Sequence, residues 1–302
     1  VLIGGLGATG LVARIMAVLP HRVVMAMVAG AFLSFGTDLI RSVSADVAVA
    51  GTMVVAWVFV TRSDRLGPRV PAVLVALVAG LLALVVTGGF VELGASESAL
   101  PLLGLPELTA PQFGWGASAQ LVIPLAITVI AVQNGQGAAV LSAAGHRPPI
   151  TAVTVLCGVW SVLAAPFGAL STCLAGPTNA LITAVGERQR QYISGMTCGF
   201  LAVVVGIGAP LLVRGLESVP SAFISALAGL AMLEALRNAF VAAFGQSARE
   251  SPPCRSPLGP LVTLLVTISG VHAAGLGAPF WGLVAGVAIT WLMDRPHRNQ
   301  DR

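Results

Sequence analysis

The chain has 302 residues, of which 56% are hydrophobic and only 9% charged, and a mean hydropathy of +0.92. A soluble domain carries about 25% charged residues, so this composition excludes a soluble globular fold and describes a polytopic membrane protein. The net charge of +4 rests on sixteen arginines and no lysine, scattered through short loops between apolar runs, which argues against a nucleic-acid surface.

The first ten residues, VLIGGLGATG, carry Gly5, Gly7 and Gly10 in the spacing of a dinucleotide fingerprint. That fingerprint needs a βαβ unit and an acidic residue about 20 positions on. The next acidic residue is Asp38, and Leu11–Leu19 continues as membrane helix, so the glycines read as helix packing. Residues 1–18 are expected to form one span, 22–38 a second after Pro20-His21-Arg22, and 45–61 a third. TRSDRLGPR is an arginine loop, and Pro71–Gly88 is a fourth span. Residues 89–114, with three glutamates, three prolines and no basic residue, read as a surface loop. Nothing at the start reads as a signal peptide. An apolar start at Val1 is expected to mark a truncated N-terminus.

A fifth span over 117–143 contains AVQNGQGAAV. Gln133, Asn134 and Gln136 bring donors and acceptors that hydrocarbon cannot satisfy, and Gly135 and Gly137 let a backbone or a ligand approach. Polar groups at membrane depth mark a pathway by default, although amides also join helices without any further role. Residues 150–165 form a sixth span. PFGALSTCLAGPTNALITAVG is too rich in Gly and Pro for one continuous helix. It reads as an extended piece over Ala169–Ala175 and a half-helix from about Pro177, with Thr172, Thr178 and Asn179 placed to cap or to face a ligand. The candidate substrate-binding residues are therefore Gln133, Asn134, Gly135, Gln136, Thr172, Pro177, Thr178 and Asn179.

Spans follow at 192–213, 221–243, 261–275 and 277–293, with Glu234 and Arg237 three apart as an interfacial pair. Counting the half-helix segment as one gives eleven segments. If the C-terminal tail is cytoplasmic, fourteen arginines fall inside and only Arg41 and Arg214 outside. Cys157, Cys173 and Cys198 lie in apolar segments and Cys254 in a loop, a pattern with no disulfide framework or zinc site; no metal and no cofactor is expected.

Two passages recur. AMVAG (26–30) follows Pro20 and SALAG (225–229) follows Pro220; LVAG (77–80) follows Pro71 and LVAG (283–286) follows Pro279. The offsets, 229 less 30 and 286 less 80, are 199 and 206. The shared order predicts two homologous halves. Seven segments run up to the second LVAG helix from residue 115 but only four up to the first, so three are expected before Val1. An odd repeat inserts with opposite topology, which predicts an all-α, 7+7 inverted-repeat transporter. Its parts here would be 1–89 (the end of the first repeat), an extracytoplasmic loop at 90–114, the second repeat at 115–294 and a cytoplasmic tail at 295–302.

The stretches GLGATGLVARIMAVLPHRVVMAMVAGAFLSFG, QNGQGAAVLSAAGHRPPI, APFGALSTCLAGPTNALITA and APFWGLVAGVA resemble the benzoate membrane transporter family, the BenE-type benzoate:proton symporters, over nearly the whole chain. The resemblance implies a fold like the uracil and xanthine permeases, with core and gate domains, and uptake of benzoate or a related aromatic carboxylate across a bacterial inner membrane. Nucleobase relatives tend to carry carboxylates in the two central segments; here the matching places hold Gln133 and, roughly, Pro177, and the proton-coupling residue is unidentified. The partners expected are the aromatic carboxylate, protons, the lipid bilayer and a second copy in a homodimer, with no nucleic acid. A nucleobase or other small-anion carrier or exchanger is the alternative on the same fold. A channel is separable from a carrier by uptake against a gradient. An enzyme is disfavoured, since HExxH, GxSxG, paired intramembrane aspartates and a Cys/His cluster are all missing from the sequence.

Overall fold

The computed structural model describes residues 2–63, 70–90, 125–184, 186–245 and 257–293, with isolated positions between 104 and 122. The arginine loop at 64–69, most of the acidic 90–114 loop, the Pro-rich loop carrying Cys254 and the tail 295–302 lie outside the described residues.

The described residues are mostly helical, and none lies in a named strand. In chain order the helices are α1 (Leu2–Ala8), α2 (Leu11–Val18), α3 (His21–Ala45), α4 (Thr52–Arg62) and α5 (Ala72–Thr87). The second half holds α6 (Asn134–Ala143), α7 (Ile150–Ala164), α8 (Gly176–Ala184) and α9 (Gln191–Ile207). It continues with α10 (Ala209–Glu217), α11 (Ser221–Phe244), α12 (Leu258–Ile268) and α13 (Ala278–Met293). Widened π turns precede α4 (Val47–Gly51) and α6 (Thr128–Gln133). Among the described residues, five helical stretches are long and apolar enough to cross a membrane, including His21–Ala45, Leu125–Ala143 and Ser221–Phe244. At 1.5 Å per residue, the 25 residues of α3 reach about 37 Å, more than the ~30 Å of hydrocarbon. With the composition, these helices make the chain a polytopic membrane protein.

Prolines set where several helices begin. Pro20, Pro71, Pro149 and Pro220 each stand immediately before a helix and supply a carbonyl to its first turn, where the missing N–H costs nothing. α5, AVLVALVAGLLALVVT, carries no polar group until Thr87 and stops at Gly88, which takes a left-handed φ of 63° while the Gly89 N–H returns to the Leu84 carbonyl.

Three spans read from the apolar runs differ in the structure. Residues 1–18 are two helices, because Gly10 turns left-handed at φ 68° and the Thr9 hydroxyl bonds the Leu6 carbonyl, ending α1. The 192–213 run breaks at Gly208, which leaves α10, with Arg214 and Glu217 among exposed leucines, as a separate amphipathic helix. The 261–275 span stops at Ile268, because Gly270 turns at φ 69° and begins a tight loop. In that loop Ala273 and Leu276 exchange backbone hydrogen bonds, the Trp281 indole N–H donates to the Ala273 carbonyl, and Ala274 is held at φ 53°. Conversely, α3 runs on to Ala45, beyond the expected end at 38, since Thr37, Ser42 and Ser44 return their hydroxyls to carbonyls of the preceding turn.

The chain divides into two compact units. One contains residues 34–106 and 189–234, and its core packs Leu39 from α3, Met53 from α4 and Leu84 from α5 around Phe223 and Leu230 of α11. The other contains residues 1–33, 107–188 and 235–302 and holds the candidate site. In it α1 crosses α7 at Gly4 and Gly158, where a Cβ on Gly158 would meet the Gly4 backbone. Lipid tails are as apolar as leucine, so such close small-residue crossings and their van der Waals contacts hold the helices together.

Candidate substrate site

The site begins with the π turn Thr128–Gln133, which leads into α6. From Asn134 to Val140 every residue of α6 is buried, and the sequence NGQGAAV is what a helix enclosed on all faces requires, because small side chains let neighbours come close. A π turn inside a helix is uncommon and occurs mostly at functional sites.

Opposite α6 lies the non-helical stretch 169–175, which leads into α8. Gly168, at φ 71°, makes the turn from α7 into it. Non-helical backbone within a membrane protein must find its hydrogen-bond partners in the protein itself, and here side chains from two helices take up two of its N–H groups. From α7, the Ser161 hydroxyl accepts the Thr172 N–H at 2.9 Å, while the Thr172 hydroxyl donates to the Cys157 carbonyl at 2.8 Å. From α6, Asn134 Oδ1 accepts the Leu174 N–H at 2.8 Å. Gly137 meets the Leu174 carbonyl so closely that any Cβ would overlap it. A Cβ on Gly176 would likewise come within 2.9 Å of Gln136 Cβ.

The Leu174 bond fixes which end of the Asn134 amide is oxygen, since only oxygen can accept that N–H. Its Nδ2 is therefore a donor, and it is buried with no hydrogen-bond partner. Such a group is costly in a finished structure and stands out when found. Asn134 is 2% exposed and Gln136 4%.

Of the residues expected at the site, Asn134 and Gln136 are brought against 174–176. Gln133 closes the π turn, and Gly135 faces a different cavity, between α2, α3, α6 and the start of α7. Thr172 is engaged with α7 through both its N–H and its hydroxyl. Pro177 is the second residue of α8; Thr178 is exposed, and the Asn179 amide turns back onto the Ala175 carbonyl at 2.8 Å. Ser161 and the Leu174 backbone were not singled out in the sequence. Ser161 could have been found as the single hydroxyl in the apolar run LCGVWSVLA; Leu174 has no signal of its own. Among the described residues no group of three or more His, Cys, Asp or Glu side chains could hold a metal ion.

A family model described as BenE, benzoate membrane transport protein, matches residues 1–292. The chain belongs to the BenE family. Its matched region takes in every helix from α1 to α12, nearly all of α13, and all of the site. Inner membrane protein YdcO of Escherichia coli K12 is 28% identical over 296 residues, covering 96% of this chain and 72% of the relative. The benzoate membrane transport protein of Acinetobacter baylyi is 25% identical over 296 residues, covering 96% of this chain and 71% of that protein. No solved structure matches. The BenE family is a membrane transport family, not an enzyme family, and this member has helices long and apolar enough to cross a membrane several times.

Proposed function

We propose that this BenE-family chain serves a secondary active carrier that imports benzoate or a related aromatic carboxylate, with protons, across a bacterial inner membrane. The observation that carries the reading is the buried, unpartnered Asn134 Nδ2 beside the non-helical segment, in a family described by benzoate transport. A carboxylate is the natural acceptor for such a donor, and each hydrogen bond to a charged group contributes roughly 1.5–3 kcal/mol. The start of α8 adds the positive end of a helix, about half an elementary charge, beside Pro177. A neutral site of amides and backbone dipoles does not leave an unpaired cation buried when empty. Gln133, Gln136, Thr178 and Asn179 are proposed as the rest of the polar shell, with Gly135 and Thr172 as its backbone support.

The fold proposed is the inverted repeat. Its support is a matching pair of helix crossings. In α4–α5 the Gly80 position abuts Met53; in α12–α13 the Gly286 position abuts Gly259 and Thr263. Both residues of the first crossing map onto the second at one offset of 206 (286 less 80, 259 less 53). The repeats would take in 1–89 and 115–294.

The test is uptake of radiolabelled benzoate by proteoliposomes under an imposed inward proton gradient, with unlabelled uracil and xanthine as competitors. Accumulation above the external concentration that collapses with a protonophore is expected. Competition by the nucleobases but not by benzoate would refute the substrate assignment.

A further inference from the structure

Beyond the amide site, α6 and α8 part. The face of α6 carrying Gln136 continues through Val140 and Ala143; the face of α8 carrying Gly176 continues through Ala180 and Thr183. Both follow the i, i+4, i+7 spacing of one helical stripe. The stripes touch at Gln136 and Gly176, and a cavity of about 350 Å³ opens between their lower ends. Met25 of α3 and Asn238, Ala239 and Val241 of α11 complete its walls. Its lining on α6 runs from Val140 to Ala144, about 6–12 Å beyond Gln136 at 1.5 Å per residue, so it is separate from the amide site but in line with it.

The walls are largely alanine, with two polar side chains. The Thr183 hydroxyl is spent on the Asn179 carbonyl at 2.7 Å. Asn238 is exposed at the mouth, and its Oδ1 receives only a long, 3.4 Å contact from Arg237. Its Nδ2 makes no hydrogen bond among the described residues and is available as a donor. The far wall is held in place, because the Arg22 guanidinium donates to the Ala243 carbonyl at 3.1 Å and the Gly245 carbonyl at 2.8 Å, tying the start of α3 to the end of α11. Small-molecule pockets run from about 300 to 1,000 Å³. A cavity at the lower end, walled by alanine with one amide donor at its rim, suits a single aromatic ring bearing one carboxylate.

We infer that this cavity is a second station for the substrate, between the amide site and the arginine-rich side of the membrane. The ring sits against Ala143, Ala180 and Ala239, and the carboxylate meets Asn238. The inference rests on the aromatic-carboxylate reading above. The Gln136–Gly176 contact separates the two stations, so passage requires α6 and α8 to slide or part there.

The experiment uses the purified chain in lipid nanodiscs, with its four cysteines replaced and a single reporter, Val241→Cys, on the cavity wall; Val241 is 62% exposed. Glu234→Cys, exposed on the same helix but off the cavity, is the control. Equilibrium binding of radiolabelled benzoate and the rate of thiol modification are measured on the same samples. At benzoate ten times its Kd, modification of Val241→Cys should slow about tenfold, because the site is free only about a tenth of the time. Glu234→Cys should not respond. Adding Ala239→Phe, which fills the cavity, should erase the protection, and Asn238→Ala, which removes the donor and weakens binding about ten- to a hundredfold, should cut it to about twofold or less. Bound benzoate with no protection of Val241→Cys overturns the inference and leaves the amide site standing, as does protection that survives both variants. Failure of the unsubstituted chain to bind benzoate overturns the aromatic-carboxylate reading and this inference together.

Discussion

Replacing Asn134 by alanine removes two different things. The first is the acceptor of the Leu174 N–H, at 2.8 Å, which leaves a part-buried backbone donor unpaired. Such an orphan costs about 1–3 kcal/mol of stability. The second is Nδ2, which pairs with nothing in the protein itself, so its loss costs the empty fold nothing. If it binds the carboxylate, its loss costs roughly 1.5–3 kcal/mol of affinity, which is about ten- to a hundredfold in Kd. Ser161→Ala separates the two effects. It orphans a second N–H of the same segment, that of Thr172, at the same order of cost, and leaves the Asn134 amide in place. Both variants should therefore melt lower by similar amounts, while only Asn134→Ala should lose benzoate affinity by tenfold or more. Thermal unfolding and equilibrium benzoate binding on the same purified samples check this. Equal losses of affinity in the two variants, or a destabilised Asn134→Ala with normal affinity, would refute the donor role and leave Asn134 as a structural acceptor only.

Gly137→Ala should drive a methyl into the Leu174 carbonyl and destabilise by about 1–3 kcal/mol, the usual cost of overpacking, seen as a lower Tm and faster hydrogen exchange at 172–176. At Ala274, whose φ of 53° disfavours branched side chains, Ala274→Val should lower stability by about 1–2 kcal/mol while Ala274→Gly should not, again by thermal unfolding. In a cysteine-free background, Arg147→Cys should react with an impermeant thiol reagent only from the cytoplasmic face and Arg214→Cys only from outside. The opposite pattern would overturn the orientation drawn from the arginines.

Much of the fold was legible because membrane sequence is simple. A run such as AVLVALVAGLLALVVT between Pro71 and Gly88 has one structural solution, and α11 after Pro220 is as plain. The broken segment was also legible, since Gly168, Gly176 and Pro177 cannot all sit inside a continuous helix. What could not be read depends on local backbone geometry or on partners distant in sequence. The break at Thr9–Gly10 resembles helix packing until Gly10 is seen at positive φ. The π turn TVIAVQ has no composition of its own. Most telling is Asn134. Its polarity at membrane depth was visible, but the division of its amide, one end on Leu174 and the other on nothing, requires a residue 40 positions away.

The π turn before Asn134 has a consequence for how the family can tolerate changes in length. Each residue of an α-helix turns about 100° around the axis, so a single insertion or deletion upstream would swing every following side chain to a new face. A widened turn is the way a helix accommodates one surplus residue without passing that rotation on. Thr128–Gln133 thus separates the angular phase of the helix before it from that of the amide face after it. Shortening this turn by one residue would remove the surplus and leave an ordinary helix, with Asn134 and Gln136 still on the face that meets Leu174 and Gly176. A residue lost between Asn134 and Gln136 would have no such outlet, and would swing Gln136 and everything after it away from Gly176.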